Sequence, residues 1–153
     1  MKKRILITGA TSGIGRATAL RLAAADTEII ITGRRLDRLE ALKRDVEARG
    51  AECVILNFDV RSEKECIENL EPLGRVDILV NNAGLAAGLE HIDCGDTADW
   101  DAMIDTNVKG LLYVTRIISR AMVAAGKGGH IINIGSIAGT EPYENGAVYC
   151  ASK

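Results

Sequence analysis

The sequence predicts an α/β fold in which helices cover both faces of a parallel β-sheet. Short apolar runs rich in β-branched residues alternate with longer amphipathic stretches along the chain, a rhythm typical of βαβ units. The segments EIIIT, DILVN and HIINI are hydrophobic almost without interruption, as expected for strands buried on both faces. The 153 residues contain no repeat, linker or low-complexity segment, so we predict a single domain.

Five predicted strands and their helices follow one another in order. The apolar β-branched runs predict strands over residues 4–8, 28–32, 52–58, 76–81 and 130–135. The amphipathic stretches predict helices over residues 13–24, 36–49, 63–70 and about 97–125. A last helix begins near Ala147, after the turn-forming segment EPYENG, and runs to Lys153.

Composition and charge exclude several classes of function. Hydrophobic residues make up 47% of the chain and charged residues 26%, the profile of a globular protein. The net charge of −2 and the absence of a block of like charges predict neither a nucleic-acid partner nor a membrane surface. No stretch approaches the roughly 20 apolar residues that a membrane-spanning helix requires.

The cysteines indicate neither a metal site nor a disulfide framework. Cys53, Cys66, Cys94 and Cys150 are scattered, without a C-x-x-C pair or metal-ligand spacing. This usage favours a reducing compartment, and we therefore expect a cytoplasmic protein.

A glycine-rich segment, TGATSGIG, joins the first strand to the first helix. In that context Gly9, Gly13 and Gly15 let the backbone approach a pyrophosphate, which then faces the positive end of the helix. Thr11 and Ser12 can add hydroxyl donors. The alternative is a glycine-rich helix cap without a ligand. We favour a dinucleotide site in a Rossmann-like, doubly wound sheet.

Two arginines follow the second strand, where an acidic residue would hold the ribose 2′-hydroxyl of NAD. Arg34 and Arg35, directly after Gly33, lie at the start of a predicted helix and face the unfavourable end of its dipole. The 2′-phosphate of NADP would relieve them, since guanidinium groups bind phosphate with paired hydrogen bonds. The alternative is a pair of solvated surface arginines. The sequence favours NADP over NAD.

Four further residues form a candidate catalytic set. Tyr149 and Lys153 lie four apart, on one face of a helix, where an ammonium group stabilises a phenolate that exchanges protons with an alcohol or carbonyl. Such a pair also arises by chance or as surface packing. Ser136 follows a strand at its carboxyl end, where ligands bind, but it could equally cap a turn. Asn107 is either exposed or buried with partners such as a bound water and a lysine.

Taken together and in order, these motifs resemble those of a known family. TGATSGIG, Asp59-Val60, NNAG at residues 81–84, Asn107, Ser136 and YCASK at residues 149–153 are similar to the full motif set of short-chain dehydrogenases/reductases of the classical type. The resemblance runs through all 153 residues and implies the strand order 3-2-1-4-5. Extended relatives, the epimerases and dehydratases, share the Tyr-x-x-x-Lys helix but usually carry G-x-x-G-x-x-G instead of G-x-x-x-G-x-G.

The resemblance also implies a role for each residue. Tyr149 would be the general acid/base, with Lys153 stabilising its phenolate and holding the nicotinamide ribose. Ser136 would orient the substrate oxygen, Asn107 would hold a water in the proton relay, and Asp59 would meet the adenine amino group. The implied cofactor-binding residues are Thr8, Gly9, Thr11, Ser12, Gly13, Ile14, Gly15, Gly33, Arg34, Arg35, Asp59, Val60, Asn82, Ala83, Gly84, Tyr149 and Lys153.

Within that family, the stretches NNAGLAAG, MIDTNVKGLLYVTR and GHIINIGSIAGTEPY are similar to NADP-dependent dehydrogenases of 3-hydroxy acids, including those acting on serine and allo-threonine. The similarity implies hydride transfer between NADP and the 3-hydroxyl of a small hydroxy acid or hydroxy amino acid. It also implies a homo-oligomer, a dimer or a tetramer, for the full-length protein.

Family members are considerably longer than this chain. We therefore expect it to be incomplete at the C-terminus and to lack the last two strands of the family fold. The strand at 130–135 would then form an open apolar edge. On this view the 153 residues alone are inactive and poorly soluble. The alternative to an enzyme is a non-catalytic NAD(P)-binding module, or an inactive fragment of such an enzyme.

Overall fold

The computed structural model describes residues 2–153 and contains one parallel sheet of five strands in the order β3-β2-β1-β4-β5. This confirms the predicted fold class and strand order. The strands are β1 Lys3–Ile7, β2 Thr27–Gly33, β3 Glu52–Asn57, β4 Ile78–Asn81 and β5 His130–Asn133. The α-helices are α1 Gly13–Leu22, α2 Leu36–Glu47, α3 Glu63–Leu70, α4 Thr97–Met103, α5 Leu111–Ala125 and α6 Ala147–Ser152.

Side chains that alternate along the strands fill two separate cores, one on each face of the sheet. Ile5 and Ile7 of β1 belong to a buried cluster that includes Leu39 of α2. Leu6, between them, belongs to a second cluster that includes Ile118 of α5. Successive side chains of a strand point to opposite faces, so helices must cover both. Full burial of each aliphatic side chain stabilises the fold by about 1.5–3 kcal/mol.

The outer strand β5 is less buried than its sequence predicts. In β2, Ile29, Ile30 and Ile31 are completely buried, as expected for a strand with neighbours on both sides. In β5, Ile132 is 36% exposed, which fits the open apolar edge predicted for residues 130–135 and not the burial of HIINI on both faces. The reason is position: within residues 2–153, β5 pairs with β4 alone and forms the edge of the sheet.

The predicted helix at 97–125 is interrupted by a wider turn. Between α4 and α5, the segment Ile104–Gly110 is a π-helix, which the helical periodicity did not predict. Thr106 and Asn107 have low helix propensity, and Gly110 allows close packing, since a Cβ there would lie 2.8 Å from a methyl of Val60. Single π-turns inside α-helices are frequent at functional sites.

The last helix begins at Ala147, as predicted, and packs against α4 and the π-helical segment.

Among the helices formed by residues 2–153, none combines the length and the apolar character that crossing a membrane demands.

Candidate active site

A cleft of about 770 Å³ opens at the carboxyl ends of the strands. In the sheet, β1 lies between β2 and β4, so successive connections leave it in opposite directions, and ligands of such sheets bind at this switch point. The volume falls within the roughly 300–1,000 Å³ of small-molecule sites. The cleft is thus placed and sized for a ligand as large as a dinucleotide.

The glycine turn lies directly against the segment that follows β4. Gly9 has a φ of +65°, and a Cβ at this position would lie 2.7 Å from the Cα of Ala83. The side-chain amide of Asn82 donates to the carbonyl oxygens of Thr8 and Gly9, at 2.9 and 3.0 Å. In return, the Thr8 hydroxyl accepts from the backbone N–H groups of Asn82 and Ala83. These contacts hold the turn from behind and leave its outer surface to the cleft.

The start of α1 offers free backbone donors to this cleft. Ser12 precedes the helix, and its hydroxyl makes no capping bond to the first turn. Instead, one nitrogen of Arg35 donates to the hydroxyls of Thr11 and Ser12, at 2.6 and 3.1 Å. Uncapped N–H groups at the positive end of a helix favour an anion. The arginine therefore lies beside the place where such an anion would bind.

A second arginine reaches the same end of the cleft. A guanidinium nitrogen of Arg34 lies 3.8 Å from Asp59, whose carboxylate also pairs with Arg61 at 2.6 Å. Burial alone would raise the pKa of Asp59, but hydrogen bonds from Arg61 and its charge outweigh burial and hold this pKa below its ordinary value. Asp59 thus stays ionised, and the exposed guanidinium groups of Arg34 and Arg35 face the cleft together.

Tyr149 and Lys153 line the opposite end of the cleft. The Lys153 ammonium donates to the carbonyl oxygen of Ile134 at 2.8 Å, which ties the end of α6 to the residue after β5. A Cβ at Gly84 would lie 3.5 Å from this ammonium, so the NNAG segment passes close beside it. The Tyr149 ring lies 6.5 Å from that of Tyr143, centroid to centroid.

Asn107 is buried, at 6% exposure, and its amide is fully used by protein groups. Its oxygen accepts from the Leu85 N–H at 2.9 Å. Its nitrogen donates to the Leu85 carbonyl and to the Ser152 hydroxyl, both at 2.8 Å. Asn107 is therefore buried with partners, the second of the two alternatives that the sequence left open, and those partners are the Leu85 backbone and Ser152.

Ser136 caps a short turn beside the cleft. Its hydroxyl oxygen accepts from the N–H of Ala138 at 3.2 Å, at the start of the 3₁₀-helix Ile137–Gly139. The cap that the sequence left open as an alternative is therefore present. This bond uses an acceptor lone pair, so the hydroxyl proton remains available to a ligand.

A family model described as short chain dehydrogenase matches residues 3–153. The chain belongs to the short-chain dehydrogenase family. Among its relatives, a sulfoacetaldehyde reductase of Chromohalobacter salexigens is 46% identical over 97% of this chain and 60% of its own length. An NADP-dependent 3-hydroxy acid dehydrogenase of Salmonella typhi is also 46% identical, with the same coverage of both chains. The chain thus spans about 60% of the length of these relatives.

The architecture of this short-chain dehydrogenase also matches a solved relative. The crystal structure of serine dehydrogenase from Escherichia coli superimposes with a TM-score of 0.89 and 44% sequence identity. The match covers 97% of this chain and 69% of that one.

Most residues predicted to bind the cofactor of a short-chain dehydrogenase line the cleft. They are Gly9, Thr11, Ser12, Gly13, Ile14, Gly33, Arg34, Arg35, Asp59, Val60, Asn82, Ala83, Gly84, Tyr149 and Lys153. Four predicted site residues are not in its wall: Thr8, Gly15, Asn107 and Ser136. Thr8 and Asn107 instead hold the segments that form the wall.

Sequence reasoning missed several lining residues. Thr32, Ile134 and Gly135 follow or end strands, and their position at the carboxyl edge could have indicated them. Thr106 and Leu85 carried no such signal, since their placement depends on the π-helical segment and on Asn107. No cluster of three potential metal ligands occurs among residues 2–153.

Proposed function

We propose that the complete protein transfers a hydride between NADP and an alcohol or carbonyl group of a small hydroxy acid or hydroxy amino acid. The observation that carries the proposal is the shared cleft: the glycine turn, two arginines, Tyr149 and Lys153 all line it. A nucleotide-binding end and a proton-transferring end in one cavity are what such a reaction requires.

The cofactor preference rests on the arginine end. Arg34 and Arg35 face the cleft beside the uncapped start of α1, where a 2′-phosphate would receive paired hydrogen bonds. The glycine at position 9 lets the turn lie against Ala83, and Gly9 and Gly13 both line the cleft. The NADP dependence in the name of the Salmonella typhi relative supports the same preference. When bound, NADP supplies the hydride chemistry.

The protein's own part in the reaction is proton transfer and orientation. Tyr149 exchanges a proton with the substrate oxygen, and Lys153, four residues further along the chain, lines the same cleft. The free proton of the Ser136 hydroxyl donates to the substrate oxygen and fixes its direction. Lys153, already bound to Ile134, also holds the ribose.

The names of the relatives support the proposed substrate class. Their names denote a 3-hydroxy acid dehydrogenase and a sulfoacetaldehyde reductase, and both substrates combine a small carbon skeleton with an acidic group. Assembly as a dimer or tetramer, and a cytoplasmic location, stay predictions of the sequence.

The test measures turnover by the complete protein in both directions. Oxidation is assayed with NADP and a panel of 3-hydroxy acids and L-serine, and reduction is assayed with NADPH and sulfoacetaldehyde. Tyr149→Phe should lower kcat by at least about 10³-fold, because the ring remains while the proton is lost. NADPH binding, followed by its fluorescence, should be unchanged. Tyr143→Phe is the matched control, since it removes the hydroxyl of the neighbouring ring and should leave kcat within about twofold.

Two results would contradict the proposal. Turnover that survives Tyr149→Phe would exclude the tyrosine as the acid/base. NADPH binding by a native protein without turnover of any substrate in the panel would instead support a non-catalytic nucleotide-binding module.

A further inference from the structure

A buried serine connects two parts of the candidate active site. Ser152, 8% exposed, precedes Lys153 in the chain and lies in α6. Its hydroxyl accepts from the Asn107 amide at 2.8 Å and donates to the carbonyl oxygen of Tyr149 at 2.9 Å. An unbroken line of hydrogen bonds therefore runs from the π-helical segment to the backbone of the tyrosine.

Asn107 is in turn fixed to the other wall of the cleft. Its amide pairs with both the N–H and the carbonyl of Leu85, just beyond the NNAG segment, as a neighbouring strand would. The planar amide of Asn107 therefore fixes the Ser152 hydroxyl relative to Leu85. Both amide hydrogens are used, and loss of the serine would leave one of them buried without an acceptor.

Two hydrogen bonds fix the helix that carries Tyr149 to its surroundings. The Lys153–Ile134 bond holds one side of the helix end, and the Asn107–Ser152 bond holds the other. The two bonds together define where the phenol and the ammonium lie in the cleft.

We propose that Ser152 is a positioning residue. Its hydroxyl bonds α6 to Asn107 and so fixes Tyr149 and Lys153 in their reactive arrangement. The inference rests on the proposed dehydrogenase function. It assigns a catalytic consequence to a side chain that does not line the cleft and touches no reacting atom.

The first experiment compares Ser152→Ala with a matched serine in the complete protein. Ser119 makes the same bond to the carbonyl three residues earlier, to Arg116 at 3.3 Å, but its hydroxyl receives no bond from another segment. We expect Ser152→Ala to lower kcat on the order of 30-fold, because small misplacements of reacting groups cost up to about 10²-fold. Ser119→Ala should keep the native kcat and the native affinity for NADPH. Ser152→Ala should lower this affinity by less than kcat, because Lys153 is one of many residues that line the cleft.

The second experiment tests whether the loss of kcat in Ser152→Ala depends on the hydrogen bond to Asn107. If it does, adding Ser152→Ala to Asn107→Ala should lower kcat further by less than about threefold, since that bond is already absent. Ser152→Thr restores the hydroxyl, which in a helix can reach the same carbonyl, and should recover most of kcat. The pH profile of kcat should move in Ser152→Ala and return in Ser152→Thr.

The outcomes separate the two proposals. A native protein without turnover overturns the function and this inference together. A turnover-competent protein in which Ser152→Ala retains kcat within about twofold, or in which the Asn107 and Ser152 losses multiply in full, overturns the inference alone. If Ser152→Ala also fails to bind NADPH, Ser152→Thr decides: native kcat supports the inference, and a folded but slow variant overturns it.

Discussion

The centre of the sheet and its β5 edge are built in different ways. In the centre, β1 and β4 are buried on both faces, and the glycine turn is fixed to β4 by backbone and amide bonds. At the edge, Ile132 is 36% exposed, whereas Val80, its partner in β4, is 2% exposed. Within residues 2–153, the glycine turn is thus fixed to the centre of the sheet, while Lys153 is bonded beside its β5 edge.

The largest expected contrast is in stability. Leu79→Ala removes a completely buried side chain of β4 and should lower the free energy of unfolding by about 4 kcal/mol, since transfer and cavity costs add. Ile132→Ala at the edge should cost below about 1 kcal/mol, because this side chain already contacts solvent. Urea unfolding of both variants measures the difference, and equal losses would show that the edge is as closely packed as the centre.

The glycine turn provides a second test of the centre. Gly9→Ala should cost about 3 kcal/mol, from the positive φ and from contact with Ala83. Gly126→Ala shares the positive φ, +63°, in the left-handed helical region, but has open space around it, so it should cost about 1 kcal/mol. The difference between their unfolding free energies isolates the close approach. NADPH binding should weaken in Gly9→Ala only, and a native affinity there would argue against the turn as the phosphate site.

A third contrast concerns the two cofactors. Replacing Arg34 and Arg35 by alanine should raise the Kd of NADPH by about 30-fold, equivalent to about 2 kcal/mol, since two charge-assisted contacts to the 2′-phosphate are lost. The Kd of NADH should change little. The double variant Arg21→Ala, Arg120→Ala, at two exposed positions on α1 and α5, removes the same charge and is the control. If NADPH and NADH weaken equally, the arginines do not distinguish the two cofactors.

The smallest effect is the acid sensitivity of Asp59. Because its pKa is lowered in the folded state, ionised Asp59 stabilises the fold fully above its unfolded pKa of about 3.9, and this contribution disappears as the pH falls through the folded value. Unfolding free energies at neutral and acid pH should therefore differ less in Asp59→Asn than in the native protein. Arg61→Ala removes the main partner and should act in the same direction. An unchanged pH dependence in both would contradict the pairing.

Local signals in the sequence predicted the centre well. The runs around Ile5 and Ile29 specify strands, and the glycines between Thr8 and Gly15 specify the turn, because each depends on neighbours in the chain. Parallel pairing and the βαβ rhythm then leave few possible strand orders. The resemblance supplied the order that the structure shows.

The edge and the inner connections were harder to predict for a physical reason. The burial of β5 depends on what lies beside it, and the letters HIINI carry no information about that. Asn107 finds its acceptor 45 residues away in Ser152, so no local pattern links them. The π-helical segment likewise lies where Gly110 packs closely on Val60, 50 residues earlier in the chain, a contact that periodicity cannot reveal.

The contact of Arg35 with Thr11 and Ser12 has a consequence for how an anion would enter. Its guanidinium group already donates to two neutral hydroxyl oxygens. A phosphate that binds there would replace these weak acceptors by a charged one, and the long Arg35 side chain would not first have to be ordered. Much of the conformational entropy of the Arg35 side chain is therefore lost before the phosphate binds. The remaining gain is electrostatic, on an exposed surface, and added salt should diminish it by screening.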